Sequence, residues 1–239
     1  MKKVKLPVLC YHKVGVPPAG PVLSDLWVSA ENFGEQVKWL ADNGFTTLHF
    51  RDLFRIHRGE AEMPEKPVLI TFDDGYKNNC TAAYPVLKAL GAKGNIFLVY
   101  NTIGKENVWH NPASEARIPM ATLEELKAVR DGGVFDFGAH TMNHPHLCSL
   151  DFETAVKEIN DSKKNLEKAF GYEFCAFAYP YGDGAYDSGM RSAVMKAGFT
   201  FDFSFRHGVS YFPWDGKNTI DRLFVKGGDS IRVFQSYFR

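Results

Sequence analysis

Short apolar runs alternate with amphipathic stretches along nearly the whole chain, and that alternation restricts the architectures open to it. PVLITFD (67–73), led by Pro67 and ended at Gly75, reads as a buried strand, and residues 79–90, stopped by Gly91, as the helix that follows. LPVLCY (6–11), FTTLHF (45–50), NIFLVY (95–100), VFDFGAH (134–140), FCAFAY (174–179), FTFDF (199–203) and LFV (223–225) read as further strands. Ser29 caps a helix with Phe33, Val37 and Leu40 on one face, closed by Gly44, and residues 51–57 form a short helix. Thr122 and Glu125 make a capping box for a helix reaching Asp131. A long helix over 151–170 places Phe152, Val156, Ile159, Leu166 and Phe170 on one stripe before Gly171, and helices over 187–197 and 229–238 complete the set. About seven βα units result, which predicts a single α/β domain over 1–239, closed or nearly closed into a barrel. No GxGxxG loop follows any strand, so an open dinucleotide-binding sheet fits less well.

The chain is long enough, at 239 residues with 45% hydrophobic, to bury a full core without staples. Lys plus Arg and Asp plus Glu are 28 each, so no global field recruits nucleic acid or an anionic membrane. No window approaches a membrane span, and the apolar stretch of MKKVKLPVLCYH is broken by Lys5 and Pro7, which argues against an export leader. Cys10, Cys80, Cys148 and Cys175 are widely spaced without CxxC, as expected of reduced thiols. A cytoplasmic location is the expectation from both readings, with export the alternative if a native leader is missing from the sequence.

In an α/β barrel, chemistry gathers at the C-terminal ends of the strands. That rule selects Tyr11-His12, Asp73-Asp74, His140 to His144 and Tyr179 to Gly182. Asp73 and Asp74 should face different neighbours, since successive strand residues point opposite ways, so one could bind a metal while the other moves protons. DDG is also ordinary turn chemistry. His140 and His144 are converged by a loop rather than a helix, because Pro145 disfavours the helical region at His144. Two imidazoles and a carboxylate leave open positions on zinc, cobalt, nickel or iron, whereas His146 is read as non-ligating. His12 suits protonation of a leaving amine, with His207 a weaker competitor and His49 structural. YPYG (179–182) could form a sugar-stacking wall and offer a backbone N–H to an oxyanion, and Tyr11, Trp109, Tyr211 and Trp214 could line a groove.

TFDDGY (71–76), HTMNHPHL (140–147) and FAYPYG (177–182), in that order and each after a strand, resemble the motifs of the polysaccharide deacetylases, the NodB-like enzymes of carbohydrate esterase family four. The resemblance runs from LPVLCYHKV (6–14) to RLFV (222–225) and implies a distorted (β/α)7 barrel of the NodB-homology type. It implies Asp73 as general base and Asp74, His140 and His144 as ligands of one divalent metal ion, zinc foremost, with cobalt, nickel or iron as alternatives. It further implies a hydrolase that removes N-linked acetyl groups from an amino sugar in a polysaccharide, oligosaccharide or glycan precursor. The family's third motif carries an arginine that orients the base, and here that position is Ala178. The early YH and the FAYPYG form are similar to a poly-N-acetylglucosamine deacetylase-like subgroup, which implies His12 as general acid. Arg222 is the expected replacement partner of Asp73, from its position alone, and Tyr181, Tyr179 and Tyr11 are expected to contact substrate. A cyclic-amide hydrolase on the same fold, or a non-catalytic carbohydrate-binding descendant, are the alternative readings.

Overall fold

The computed structural model describes residues 3–214 and 216–239. Seven strands form the barrel: β1 (Val8–Tyr11), β2 (Pro67–Phe72), β3 (Gly94–Leu98), β4 (Phe135–Ala139), β5 (Ala176–Ala178), β6 (Phe201–His207) and β7 (Ile220–Phe224). Each pairs in parallel with the next, and β1 also pairs with β7, so the sheet closes on itself. The strands are near-continuous apolar runs because both faces are covered. Leu9, Tyr11, Ile70, Phe72 and Phe137 point outward and pack under the helices. Val8, Leu69, Phe97, Ala178 and Phe203 fill the barrel interior, where Phe50, Leu53 and Ile56 also pack.

The helices are α1 (Ala30–Asp42), α2 (Phe50–His57), α3 (Tyr84–Ala89), α4 (Leu123–Asp131), α5 (Phe152–Phe170), α6 (Ser188–Lys196) and α7 (Ile231–Ser236). Ser29 caps α1, and the Thr122–Glu125 box caps α4. Gly171 ends α5 in the left-handed region, φ 76°.

Three sequence expectations are corrected here. FTTLHF is strand only over Thr46–Thr47, an edge pair on β2, because the Asp52 carboxylate accepts the His49 backbone N–H and starts α2 at Phe50. Residues 79–90 are not uniformly α-helical. Asn79–Ala83 is π-helical and α3 begins at Tyr84, with Pro85 in its first turn, where a missing N–H is tolerated. Phe152 is 53% exposed, leaning on Gly189 of α6, and the buried face of α5 is instead Ala155, Ile159, Leu166 and Phe170. The chain also carries an antiparallel ribbon, Val4–Leu6 with Ser210–Phe212, and a short parallel pair, Lys13–Val14 with Trp27–Val28.

The barrel is distorted at one seam. Between the pairs Phe203↔Ile220 and His207↔Arg222 the register of β6 slips against β7. The residues in the slip divide by direction: Ser204 and Arg206 hydrogen-bond Asp221, while Phe205 turns into the barrel mouth. Among the described residues no helix is long and apolar enough to cross a membrane.

Candidate metal and catalytic site

A cavity of about 140 Å³ opens at the C-terminal ends of the strands. His12, Asp73, Asp74, His140 and His144 form its polar floor, and Leu26, Trp109, His110, Tyr181 and Phe205 its walls. Among the described residues, four non-glycine positions have positive φ; Asp74 (77°), His144 (60°) and Tyr181 (57°) line it, and Thr141 (68°) directly follows the lining residue His140. Such backbone persists only where surroundings enforce it, and its clustering marks a functional rim.

At the end of β2, Asp73 donates its N–H to Tyr11 O at 3.0 Å. The chain then turns left-handed at Asp74 and again at Gly75, φ 89°, where a Cβ would lie 2.9 Å from the Leu98 side chain. The two carboxylates diverge as a result, though through this turn rather than through strand alternation. Asp73 faces Arg222 on β7, whose Nη1 and Nη2 donate to its Oδ1 and Oδ2 at 2.6 and 2.8 Å, while the Arg222 Nε–H is held by Ser204 O at 2.8 Å. Cys10 donates its thiol to Asp73 Oδ2 at 3.7 Å. Burial pushes the Asp73 pKa up, but the charge and hydrogen bonds of Arg222, with His140 and His12, together outweigh it and hold the carboxyl below its ordinary value. Asp73 is therefore an ionised base, oriented through both oxygens. Ala178 presents no side chain to it. That residue packs in the barrel interior, and its carbonyl is used elsewhere.

Asp74 faces the two histidines. Its Oδ1 lies 3.4 Å from His140 Nε2 and 3.2 Å from His144 Nε2, and ligand atoms of the three residues lie within 4.8 Å of one another. All three side chains are buried. His140 Nδ1 lies 2.7 Å from Ala178 O, and since a carbonyl only accepts, Nδ1 carries a proton and Nε2 is the ring nitrogen left to face Asp74. Asp74 Oδ1 has no hydrogen-bond partner among the described residues. An orphaned carboxylate oxygen facing two imidazole nitrogens in a buried pocket is a donor set that a divalent cation completes, so these residues fit one. Burial alone would raise the Asp74 pKa, but His144 and His140 hold it well below the carboxylate range.

His12 ends β1 with Nε2 3.9 Å from Asp73 Oδ2, between the rings of Phe205 and Phe224. Burial lowers its pKa from 6.5 to about 4, so it is a neutral imidazole at neutral pH. His207 is exposed, against Tyr237 and outside the cavity, which removes it as the competing acid. His49 binds Val134 O at 2.9 Å, and His146 stacks on Tyr181 at 3.9 Å without joining the ligand set.

Two of the expected substrate contacts do not reach the cavity. Tyr11 is fully buried with its hydroxyl on Gln36, and Tyr179 is fully buried with its hydroxyl on Asp202. Both face the helices, because strand alternation that sends His12 to the mouth sends its neighbour outward. Tyr181 does line the cavity and is 39% exposed. Trp109 lines it as well, whereas Tyr211 and Trp214 border a separate pocket. Leu26 and His110 were not anticipated, since they sit on short turns and loops that carry no periodic signal, and Phe205 lies on β6 beyond the FTFDF run, where the register slips.

A family model described as polysaccharide deacetylase matches residues 60–201. A Bacillus subtilis (strain 168) protein assigned by name to the polysaccharide deacetylases is 31% identical over 236 residues, 99% of this chain and 77% of its own length. The poly-beta-1,6-N-acetyl-D-glucosamine N-deacetylase of Staphylococcus aureus (strain MSSA476) is 29% identical over 185 residues, and the match spans 74% of this chain but 60% of that enzyme. Among solved structures, a polysaccharide deacetylase from Bacillus cereus superposes with a TM-score of 0.81 at 26% identity, covering 99% of this chain and 70% of that one.

Proposed function

The chain belongs to the polysaccharide deacetylase family, and from that premise we propose that it is a metal-dependent hydrolase that cleaves the acetamide of an N-acetylated amino sugar to acetate and a free amine. The observation that carries the reading is the meeting, in one cavity, of the Asp74–His140–His144 donor set with an ionised carboxylate, Asp73, gripped through both oxygens by Arg222. Similarity to the staphylococcal enzyme favours a poly-N-acetylglucosamine type of substrate. Asp74, His140 and His144 would hold the cation, zinc foremost, which when bound supplies Lewis-acid polarisation of the acetyl carbonyl and of water.

The remaining steps belong to this chain's own residues. Asp73 takes the proton of the attacking water. Tyr181, at the cavity rim, offers its backbone N–H to the developing oxyanion. Because His12 is neutral at rest, it lacks the second ring proton an imidazolium would give, so the sugar nitrogen must receive the proton that Asp73 took from water. At 3.9 Å from Asp73, His12 is placed to carry it across.

Acetate release from short N-acetylglucosamine oligomers, β-1,6-linked and β-1,4-linked, tests the reading. Activity should vanish on chelation and return with zinc. Asp73→Asn should keep the metal and lose about 10²- to 10⁴-fold in kcat, and His144→Ala should lose metal and activity together. Equal rates in wild type and Asp73→Asn, or full activity after chelation, would refute it.

A further inference from the structure

The two imidazoles beside Asp74 are held in different ways. His140 is fixed by its hydrogen bond to Ala178 O. His144 Nδ1 is buried and has no hydrogen-bond partner among the described residues. Aromatic rings grip it instead. Trp109 stacks on it with centroids 4.5 Å apart and planes 29° from parallel, and Tyr181 meets it edge-on at 4.6 Å. Metal-binding histidines ordinarily have their second nitrogen anchored, and losing that anchor costs about 10- to 100-fold in affinity.

Trp109 lies on no helix or strand but on the irregular insertion over 101–119. Between 108 and 117 the one buried residue is a carboxylate, Glu115. Its Oε1 accepts from Lys13 Nζ at 2.7 Å, and its Oε2 accepts the Leu23 N–H. Lys13 directly follows His12, is fully buried, and sits over the rings of Tyr76 at 4.6 Å and Trp27 at 5.6 Å. A buried ion pair is a poor source of net stability, because desolvating both charges offsets their attraction. Directional bonds to fixed donors do, however, set the register of the insertion against the strand end that bears His12. An apolar anchor would hold the loop down without doing so.

We propose that Trp109 is the positioning residue for His144, orienting the ring in place of the hydrogen bond its Nδ1 lacks, and that the Lys13–Glu115 pair locks Trp109 there. The proposal rests on the metal-site reading above.

Zinc affinity of the full chain, measured by competition with a chromophoric chelator, is the test, with the NMR signals of the His144 ring as a second readout independent of turnover. Trp109→Ala should weaken zinc binding about 10- to 100-fold and broaden the His144 signals, whereas Trp109→Phe, which keeps a stacking face, should retain most of the affinity. Glu115→Gln should also weaken binding, and adding it to Trp109→Ala should cost nothing further, because the pair acts through Trp109. Wild-type affinity in Trp109→Ala, or additive losses in the double variant, overturns the proposal. If Trp109→Ala fails to fold, Trp109→Leu replaces it, and equal affinities for the Leu and Phe variants overturn the proposal. Wild-type protein that binds no zinc overturns the metal-site reading itself.

Discussion

Arg222 grips Asp73 with two parallel hydrogen bonds while its third nitrogen is tied to Ser204 O, so the base has one orientation and one charge state near neutrality. A lysine keeps the charge but offers a single point donor. Arg222→Lys should therefore let Asp73 rotate and relax its pKa upward. Since the base works only when deprotonated, the acid limb of the pH profile of kcat/KM should move to higher pH, with kcat reduced. An unmoved limb would show that Arg222 does not set the ionisation of Asp73. Arg222→Met is a different experiment. It strands a buried carboxylate and should cost about 3–5 kcal/mol of stability, read by denaturant unfolding.

At the scale of elements, the loop carrying His140 and His144 is stitched to α5 by Glu158, with Asn165 adding a bond to the Met142 sulfur. Glu158 Oε2 accepts the N–H groups of Met142 and Asn143 at 3.0 and 2.9 Å. Glu158→Ala should free both amides, cost about 1–2 kcal/mol since water partly replaces the lost acceptor, and abolish their protection in hydrogen exchange while β4 stays protected. Retained protection at Met142 and Asn143 would mean that the left-handed turns hold the loop unaided. The contrast between this loop and the insertion explains what the sequence could reveal. Asp73, Asp74 and His140 were readable because they follow strong apolar runs, His144 because it recurs in the loop just after His140, and Arg222 because it lies on a strand whose mouth end is shared with Asp73. Tyr11 and Tyr179 sit one position out of phase with the mouth-facing residues, so the parity of their strands turns them toward the helices. Trp109, Glu115 and Lys13 come together only through an irregular segment, whose contacts are tertiary and leave no periodic trace.

For the whole molecule, the closed barrel makes a local titration visible globally, because its strands pair into one continuous sheet that buries His12 at its mouth. His12 has a folded pKa of about 4 against 6.5 in the unfolded chain, the shift being caused by burial. Between those values the unfolded state binds a proton that the folded state refuses, so stability rises with pH across that window and is lost as pH falls through it. The shift is worth about 3 kcal/mol at the acid end, a sizeable share of the roughly 5–15 kcal/mol that holds a domain together. The lowered carboxyls of Asp73 and Asp74 act at lower pH, since their contribution is full above the ordinary carboxylate value of 3.8 and fades only as pH falls through their depressed values. Acid weakening that begins above the carboxylate range therefore belongs to histidines. His49, His110 and His144 are lowered in the same direction, burial leading in each case, so they share the slope. Denaturant midpoints of chelator-treated protein should fall steadily from about pH 7 to about pH 5, and His12→Gln should flatten part of that decline without changing the m-value. A midpoint independent of pH over this range, or a slope untouched by His12→Gln, would mean that His12 is solvated and protonated in the native state. The proton carried to the sugar nitrogen could then come from His12 itself rather than from Asp73.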